Sequence, residues 1–355
     1  MTEEELRRLI DSIPPPDGAA AAKTRMRLDQ LTKPQGSLGK LEDLAIQLAA
    51  ITGDPFPSAE RRAVIVMAGD HGVCDEGVSA YPQEVTAQMV RNFLEGGAAV
   101  NVLARQARAE VVCVDVGMKS GLDHPGLVQR NVRRGTDNFA RGPAMSRCEA
   151  LMAIGAGVRV VDDLAERGYG LLATGEMGIG NTTASAALMA VLAGVDPGEA
   201  AGRGTGLDDE GLRRKIEVIR TAIRANEPDP ADPLDALAKV GGLEIAGLVG
   251  VMLACAARRL PVVLDGFISC AAALVALRLA PAAKPCLIAS HLSAEHGHRR
   301  LLEELGLSPL LHLDMRLGEG TGAVLCFHLI DAALAALKEM ATFDSAGVFR
   351  RDGTA

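Results

Sequence analysis

The sequence predicts an α/β fold, a mainly parallel sheet with helices on both faces, and it does so through three observations. Short apolar or β-branched runs recur from residue 61 onward. Ala-rich segments at helical spacing separate most of them, and the glycines and unusual polar residues fall just after the runs. Strands that alternate with helices form parallel sheets covered on both faces. In such sheets ligands sit beyond the carboxyl ends of the strands.

Taken in order, the first sixty residues read as helices. Glu3–Ile13 is amphipathic, Pro14–Pro16 interrupts it, and Ala19–Leu31 resumes the pattern. Leu38, Leu41, Leu44, Ala45 and Leu48 then form one apolar face at a period of about 3.6 residues. Ser37 is a candidate cap for that helix, and Gly53, Pro55 and Pro57 end it. Strands are predicted at Ala63–Met67, Val111–Val116, Gly170–Ala173, Pro261–Leu264, Cys286–Ala289 and Leu310–Leu313. Helices are predicted over Glu84–Gln106, Met145–Arg167, Thr182–Leu192, Glu244–Arg259 and Ala323–Met340.

Composition narrows the function. The chain has 355 residues, 48% of them hydrophobic, enough for a large core. A net charge of −8, with 3% aromatics and no Trp, argues against a nucleic-acid surface or a base-stacking platform. The acidic start M-T-E-E-E-L-R-R does not read as a secretory signal, and no apolar run reaches the length of a membrane span. A soluble, cytoplasmic protein is expected, with no membrane or nucleic-acid partner. Seven scattered cysteines without a C-x-x-C pair predict neither a disulfide framework nor a zinc ribbon.

The loops after the predicted strands carry the chemistry: G-D-H-G-V (Gly69–Val73), D-V-G-M-K-S-G (Asp115–Gly121), G-E-M-G-I-G-N-T-T (Gly175–Thr183), D-G-F-I-S (Asp265–Ser269), S-H-L-S-A-E-H-G-H (Ser290–His298) and L-G-E-G-T-G (Leu317–Gly322). In the third, Gly178 and Gly180 allow backbone N–H groups to face a ligand, and Asn181, Thr182 and Thr183 add side-chain donors at a helix start, which suits a phosphate. A glycine turn with a threonine cap explains the same residues without a ligand. Glu176 is odd under either account unless it meets sugar hydroxyls or a cationic ring. In the last loop a single carboxylate, Glu319, stands between Gly318 and Gly320; a catalytic acid or base and a tight turn at a positive helix end are both open. Lys215 is within reach of a phosphate, although among Arg213 and Arg214 it fits a solvated helix face. Asp70 and His71 read as a ligand or acid–base pair, or as a turn in which Asp70 caps the next helix. His291, His296 and His298, with Glu295, do not follow the zincin order or its inverse, so no metal is expected.

Together these strings resemble one family, nicotinate-nucleotide:dimethylbenzimidazole phosphoribosyltransferase. The resemblance is carried by K-P-Q-G-S-L-G (Lys33–Gly39), D-H-G-V, E-G-V-S-A-Y-P-Q-E-V-T, R-G-T-D-N-F-A-R-G-P-A-M-S, G-E-M-G-I-G-N-T-T, L-D-G-F-I-S, S-H-L-S-A-E and M-R-L-G-E-G-T-G-A, in that order from about Leu31 to Ala323. It implies a Rossmann-like large domain over 61–324, a small helical domain from residues 1–60 and 325–355, and a homodimer. It also implies transfer of the phosphoribosyl group of nicotinate mononucleotide to dimethylbenzimidazole, with no cofactor. On the matching positions Glu319 is the general base. Glu176, Gly178, Gly180, Asn181, Thr182, Lys215, Ser290 and Ser293 belong to the nucleotide side. Tyr81, Gln83 and Met89 belong to the side of the aromatic base, and Met315 and Leu317, beside Glu319, add an apolar wall for it.

The chemistry fits those residues independently. Nicotinate leaves C1′ through its cationic ring nitrogen, which takes the bonding pair and becomes a neutral pyridine, so it needs no acid. The attacking benzimidazole loses a proton from its other nitrogen as positive charge develops, and one carboxylate can accept it. Single displacement at C1′ predicts inversion. The alternatives are a nucleotide-binding oxidoreductase, against which the glycine loop has the wrong order, and a non-catalytic nucleotide sensor.

Overall fold

A computed structural model describes residues 1–349. The elements, in chain order, begin with α1 (Glu3–Asp11), α2 (Gly18–Asp29), α3 (Lys40–Thr52), β1 (Arg62–Gly69), α4 (Glu84–Leu94), α5 (Ala99–Gln106), β2 (Glu110–Gly117) and β3 (Val128–Gln129). Next come α6 (Arg147–Glu166), β4 (Leu171–Met177), α7 (Asn181–Ala193), α8 (Pro197–Ala200), α9 (Asp209–Asn226), α10 (Pro233–Val240), α11 (Leu243–Ala257) and β5 (Val262–Leu264). The last are α12 (Phe267–Leu279), β6 (Leu287–Ala289), β7 (His291–Leu292), α13 (His298–Leu305), β8 (Leu311–His312), α14 (Thr321–Glu339) and α15 (Phe343–Ala346).

Six strands form one parallel sheet in the order β3-β2-β1-β4-β5-β6. Every residue of β1 (R-A-V-I-V-M-A-G) and of β4 (L-L-A-T-G-E-M) is buried, as expected of central strands covered on both faces. One face packs against α6, α11 and α12, the other against α3, α5 and α14. Glycines let α6 and α11 approach closely: a Cβ at Gly157 would collide with the Gly247 carbonyl, and one at Gly250 with that of Ile154.

Four expectations are corrected. Leu310–Leu313 does not join the sheet. Leu311–His312 instead pairs with His291–Leu292 in a separate parallel ribbon. The sixth strand is Val128–Gln129, two residues at an edge, too short to leave an apolar signature. The helix expected over Glu84–Gln106 is two helices, because Gly96 takes a left-handed turn (φ +79°) between them. Ser37 is not the cap of α3; Gly39 holds that position and the Glu42 carboxylate accepts from Leu38 N instead.

The helices of the two ends meet. Helix α14 packs on α3 and α2, and Leu31 bridges to Thr342. Arg62 on β1 binds Asp331 of α14 through both guanidinium nitrogens, at 2.9 and 2.7 Å. Among the described residues α14 alone is long and apolar enough to cross a bilayer. Its Ala323, Val324, Phe327, Ile330, Leu334 and Leu337 are buried in the same apolar cluster as Val64, Val66 and Ala173 of the sheet, so it is a core helix.

Candidate active site

A cavity of about 470 Å³ opens at the carboxyl ends of β4 and β5. Its lining includes Tyr81, Met89, Glu176, Gly178, Asn181, Thr182, Ser293, Leu317 and Glu319, all marked by the sequence. Asp265, Phe267, Ile268, Ser269, Glu295, Arg316, Gly204 and Thr205 line it too. Sequence reasoning assigns none of these to a site, although Asp265 to Ser269 form the quoted D-G-F-I-S string. An aspartate directly after an apolar strand is the available signal.

Glu319 lies in a turn that leads into a helix, not at the end of a strand. It precedes α14, and Gly318, Glu319 and Gly320 take φ values of +83°, +65° and +88°. For the glutamate this costs on the order of 1 kcal/mol or more. The turn lies tight on the sheet, since a Cβ at Gly175 of β4 would stand 2.7 Å from the Glu319 carbonyl oxygen. The Glu319 side chain is nearly buried, and its Oε2 has no hydrogen-bond partner among the described residues. Burial, with a smaller push from the Asp265 charge, raises its pKa to about 7.

Glu176 is a residue of β4, not of the loop that follows. Its Oε1 accepts from Glu319 N at 3.4 Å, and its Oε2 accepts from Asn181 Nδ2. Burial, then the charges of Asp265 and Glu244, lift it to about 8. Two carboxyl groups inclined to hold protons therefore share one wall of the cavity.

The Gly178–Gly180 turn is clamped from outside: Ile179 N donates to Thr86 Oγ1, and Cys74 Sγ donates to Ile179 O. Asn181 N and Thr183 N are used within the turn, so fewer backbone donors face the cavity than the sequence implied. Beyond it stands Lys215, fully buried rather than on a solvated face, with Nζ 2.8 Å from Thr182 Oγ1 and 3.1 Å from Gly202 O. Burial lowers its pKa to about 8 despite the nearby Glu295. Lys215 does not itself line the cavity; Gly204 (φ +52°) and Thr182 stand between, and a Cβ at Gly204 would lie 3.4 Å from Nζ.

Other marked residues lie outside the lining. Gln83 donates to His71 O and accepts from Lys119 Nζ, tying two loops. Gly180 (φ +97°) turns the chain into α7 over His71 and Cys74. Ser290 is buried against His291 Nδ1 at 2.9 Å, and Met315 O accepts from Ala294 N. Asp70 caps no helix; its carboxylate accepts from Lys119 N at 2.8 Å. His71 pairs with Glu244 at 2.6 Å, both fully buried, behind Gly69, Gly178 and Gly242. Burial opposes charge on His71, but the Glu244 carboxylate outweighs it and raises the pKa. His298 accepts from Ser293 N and faces Cys270 Sγ, and burial lowers it to about 3.

A family model described as phosphoribosyltransferase matches residues 13–348. The chain belongs to that phosphoribosyltransferase family. Among curated relatives, the nicotinate-nucleotide–dimethylbenzimidazole phosphoribosyltransferase of Desulforudis audaxviator is 57% identical over 344 residues, 97% of this chain and 98% of the relative. The protein of that name from Geobacter sulfurreducens is 52% identical over 348 residues, 98% and 99% of the two chains. The crystal structure of CobT from Thermus thermophilus superposes with a TM-score of 0.89 at 52% identity, covering 93% of this chain and 99% of that one. For this phosphoribosyltransferase the Rossmann-like expectation of a parallel α/β sheet holds.

Proposed function

We propose that this phosphoribosyltransferase moves the 5-phosphoribosyl group of nicotinate mononucleotide to 5,6-dimethylbenzimidazole with inversion. The products are α-ribazole 5′-phosphate and nicotinate, and Glu319 is the general base. The supporting observation is one carboxylate, Glu319, with an unengaged oxygen and a pKa of about 7, on the wall of a cavity large enough for two small aromatic substrates. A base needs affinity for a proton near working pH, and burial gives Glu319 that. Tyr81, Met89 and Leu317 offer apolar surface on which the benzimidazole rests. Lys215 and Thr182 meet the phosphate, and Glu176 faces the ribose. Ser290, Gln83 and Met315 support the walls without touching substrate. The enzyme works as a cytoplasmic homodimer, with residues 1–60 and the described part of 325–355, up to residue 349, as a small helical unit beside the large domain; residues 350–355 lie outside the described residues.

The test is incubation with both substrates and detection of released nicotinate, followed by Glu319→Gln. The variant keeps the side-chain size but takes no proton. It should bind both substrates nearly as well and lose roughly 10²–10⁴-fold in kcat. Full turnover in Glu319→Gln, with activity abolished in Glu176→Gln, would move the base role to Glu176.

A further inference from the structure

Helix α14 has no capping side chain of its own, because Gly320 holds the cap position. Its free N–H groups are instead met from another segment. Asp265, at the end of β5, accepts from Gly320 N through Oδ2 (3.1 Å) and from Gly322 N (2.9 Å) and Ala323 N (3.1 Å) through Oδ1. The residue is itself nearly fully buried. It is anchored in turn: Asp265 N donates to Thr174 Oγ1 at 3.1 Å, and that hydroxyl donates to Ser269 Oγ at 2.9 Å. A turn of three left-handed residues has little reason to persist by itself. The carboxylate that holds its last residue and the first turn of the helix behind it supplies one.

We propose that Asp265 is the positioning residue for Glu319, holding the Gly318–Gly320 turn in the one conformation that aims the Glu319 carboxyl into the cavity. The inference rests on the reading of Glu319 as the base. Asp265 has a second effect through space, since its charge adds to the burial that makes Glu319 hold a proton. The other acid beside Glu319 is Glu176, whose Oε1 faces the Glu319 backbone N–H. Glu244 and Asp265 in turn raise the pKa of Glu176.

The experiment is a double-mutant cycle of Asp265→Asn with Glu319→Gln, read as kcat, KM and the pH profile of kcat. Asparagine keeps one acceptor for Gly322 N and Ala323 N but places an amide N–H₂ opposite Gly320 N–H. In the wild-type background kcat should fall about 10- to 10³-fold, with KM for nicotinate mononucleotide within about threefold. The acid limb of the profile should move to lower pH, because Glu319 has lost a negative neighbour. In the Glu319→Gln background the same substitution should cost less than about threefold, since its target is already gone. Thr174→Val, which removes the acceptor of Asp265 N together with the hydrogen bond to Ser269 and leaves both carboxylates in place, should show the same fall in kcat at smaller size, and it serves if Asp265→Asn does not fold. Equal losses in both backgrounds, a change confined to KM, or an unmoved acid limb in Asp265→Asn would overturn the inference. A Glu319→Gln enzyme with full turnover would instead overturn the base assignment, so the two failures are distinguishable.

Discussion

At the scale of single residues, a carboxyl that favours its proton inside the fold is a stability cost as well as a catalytic asset. Glu319 rises from 4.5 to about 7 on folding. Below about pH 4.5 both the folded and the unfolded chain hold the proton, and burial of the carboxyl costs nothing through ionisation. As pH climbs from there towards 7, the unfolded chain ionises first and the fold loses stability; above about 7 the loss is complete. Glu319→Gln removes that loss. Urea unfolding of the variant should match wild type near pH 4 and exceed it by about 1–3 kcal/mol near pH 8. A gain of equal size at both pH values would show that packing, not ionisation, is responsible. The sequence exposed Glu319 through its flanking glycines. It could not expose Asp265 as a partner, because the two lie on different elements and only the packing of α14 on β4 and β5 joins them.

At the scale of elements, the strands and the glycine turns were legible, while helix breaks and edge pairings were not. Long apolar runs such as Ala63–Met67 announce themselves by burial on both faces. Val128–Gln129 joins the sheet through two residues of backbone pairing, and two residues hold no periodicity. Gly96 breaks a helix that apolar spacing alone carries through. Glu176 reads as a loop residue because the strand pattern weakens at Thr174–Gly175, yet β4 runs on to Met177. The turn after β4 gives a sharper test. A Cβ at Gly178 would meet the Gly69 carbonyl, with His71 Nε2 at 3.4 Å and Glu244 Oε1 at 3.5 Å behind it. Nothing there is the free end of a flexible chain. Gly178→Ala should cost about 1–3 kcal/mol of stability, as overpacked core sites do, and should weaken nucleotide binding more than benzimidazole binding. Calorimetric titration with each substrate would check it, and unchanged nucleotide affinity would remove the turn from that subsite.

At the scale of the whole molecule, one helix belongs to two structures at once. The first turn of α14 frames Glu319 beside Asp265, and its later turns fill the gap between the sheet and the helices of the chain ends. The nineteen-residue rod is rigid over roughly 28 Å at 1.5 Å per residue. Leu337, fully buried near its far end, lies on the side away from the reaction. Leu337→Ala should destabilise the protein by about 2–5 kcal/mol. Its effect on kcat in the absence of denaturant should be small, because the first turn keeps its grip on the sheet. The consequence appears during unfolding. The terminal helices have no separate melting step open to them, since releasing them strips the support from the rod that carries Glu319. Circular dichroism and turnover should therefore trace a single urea transition with one midpoint, in wild type and in Leu337→Ala alike. An active species that had shed its terminal helices would appear as two midpoints.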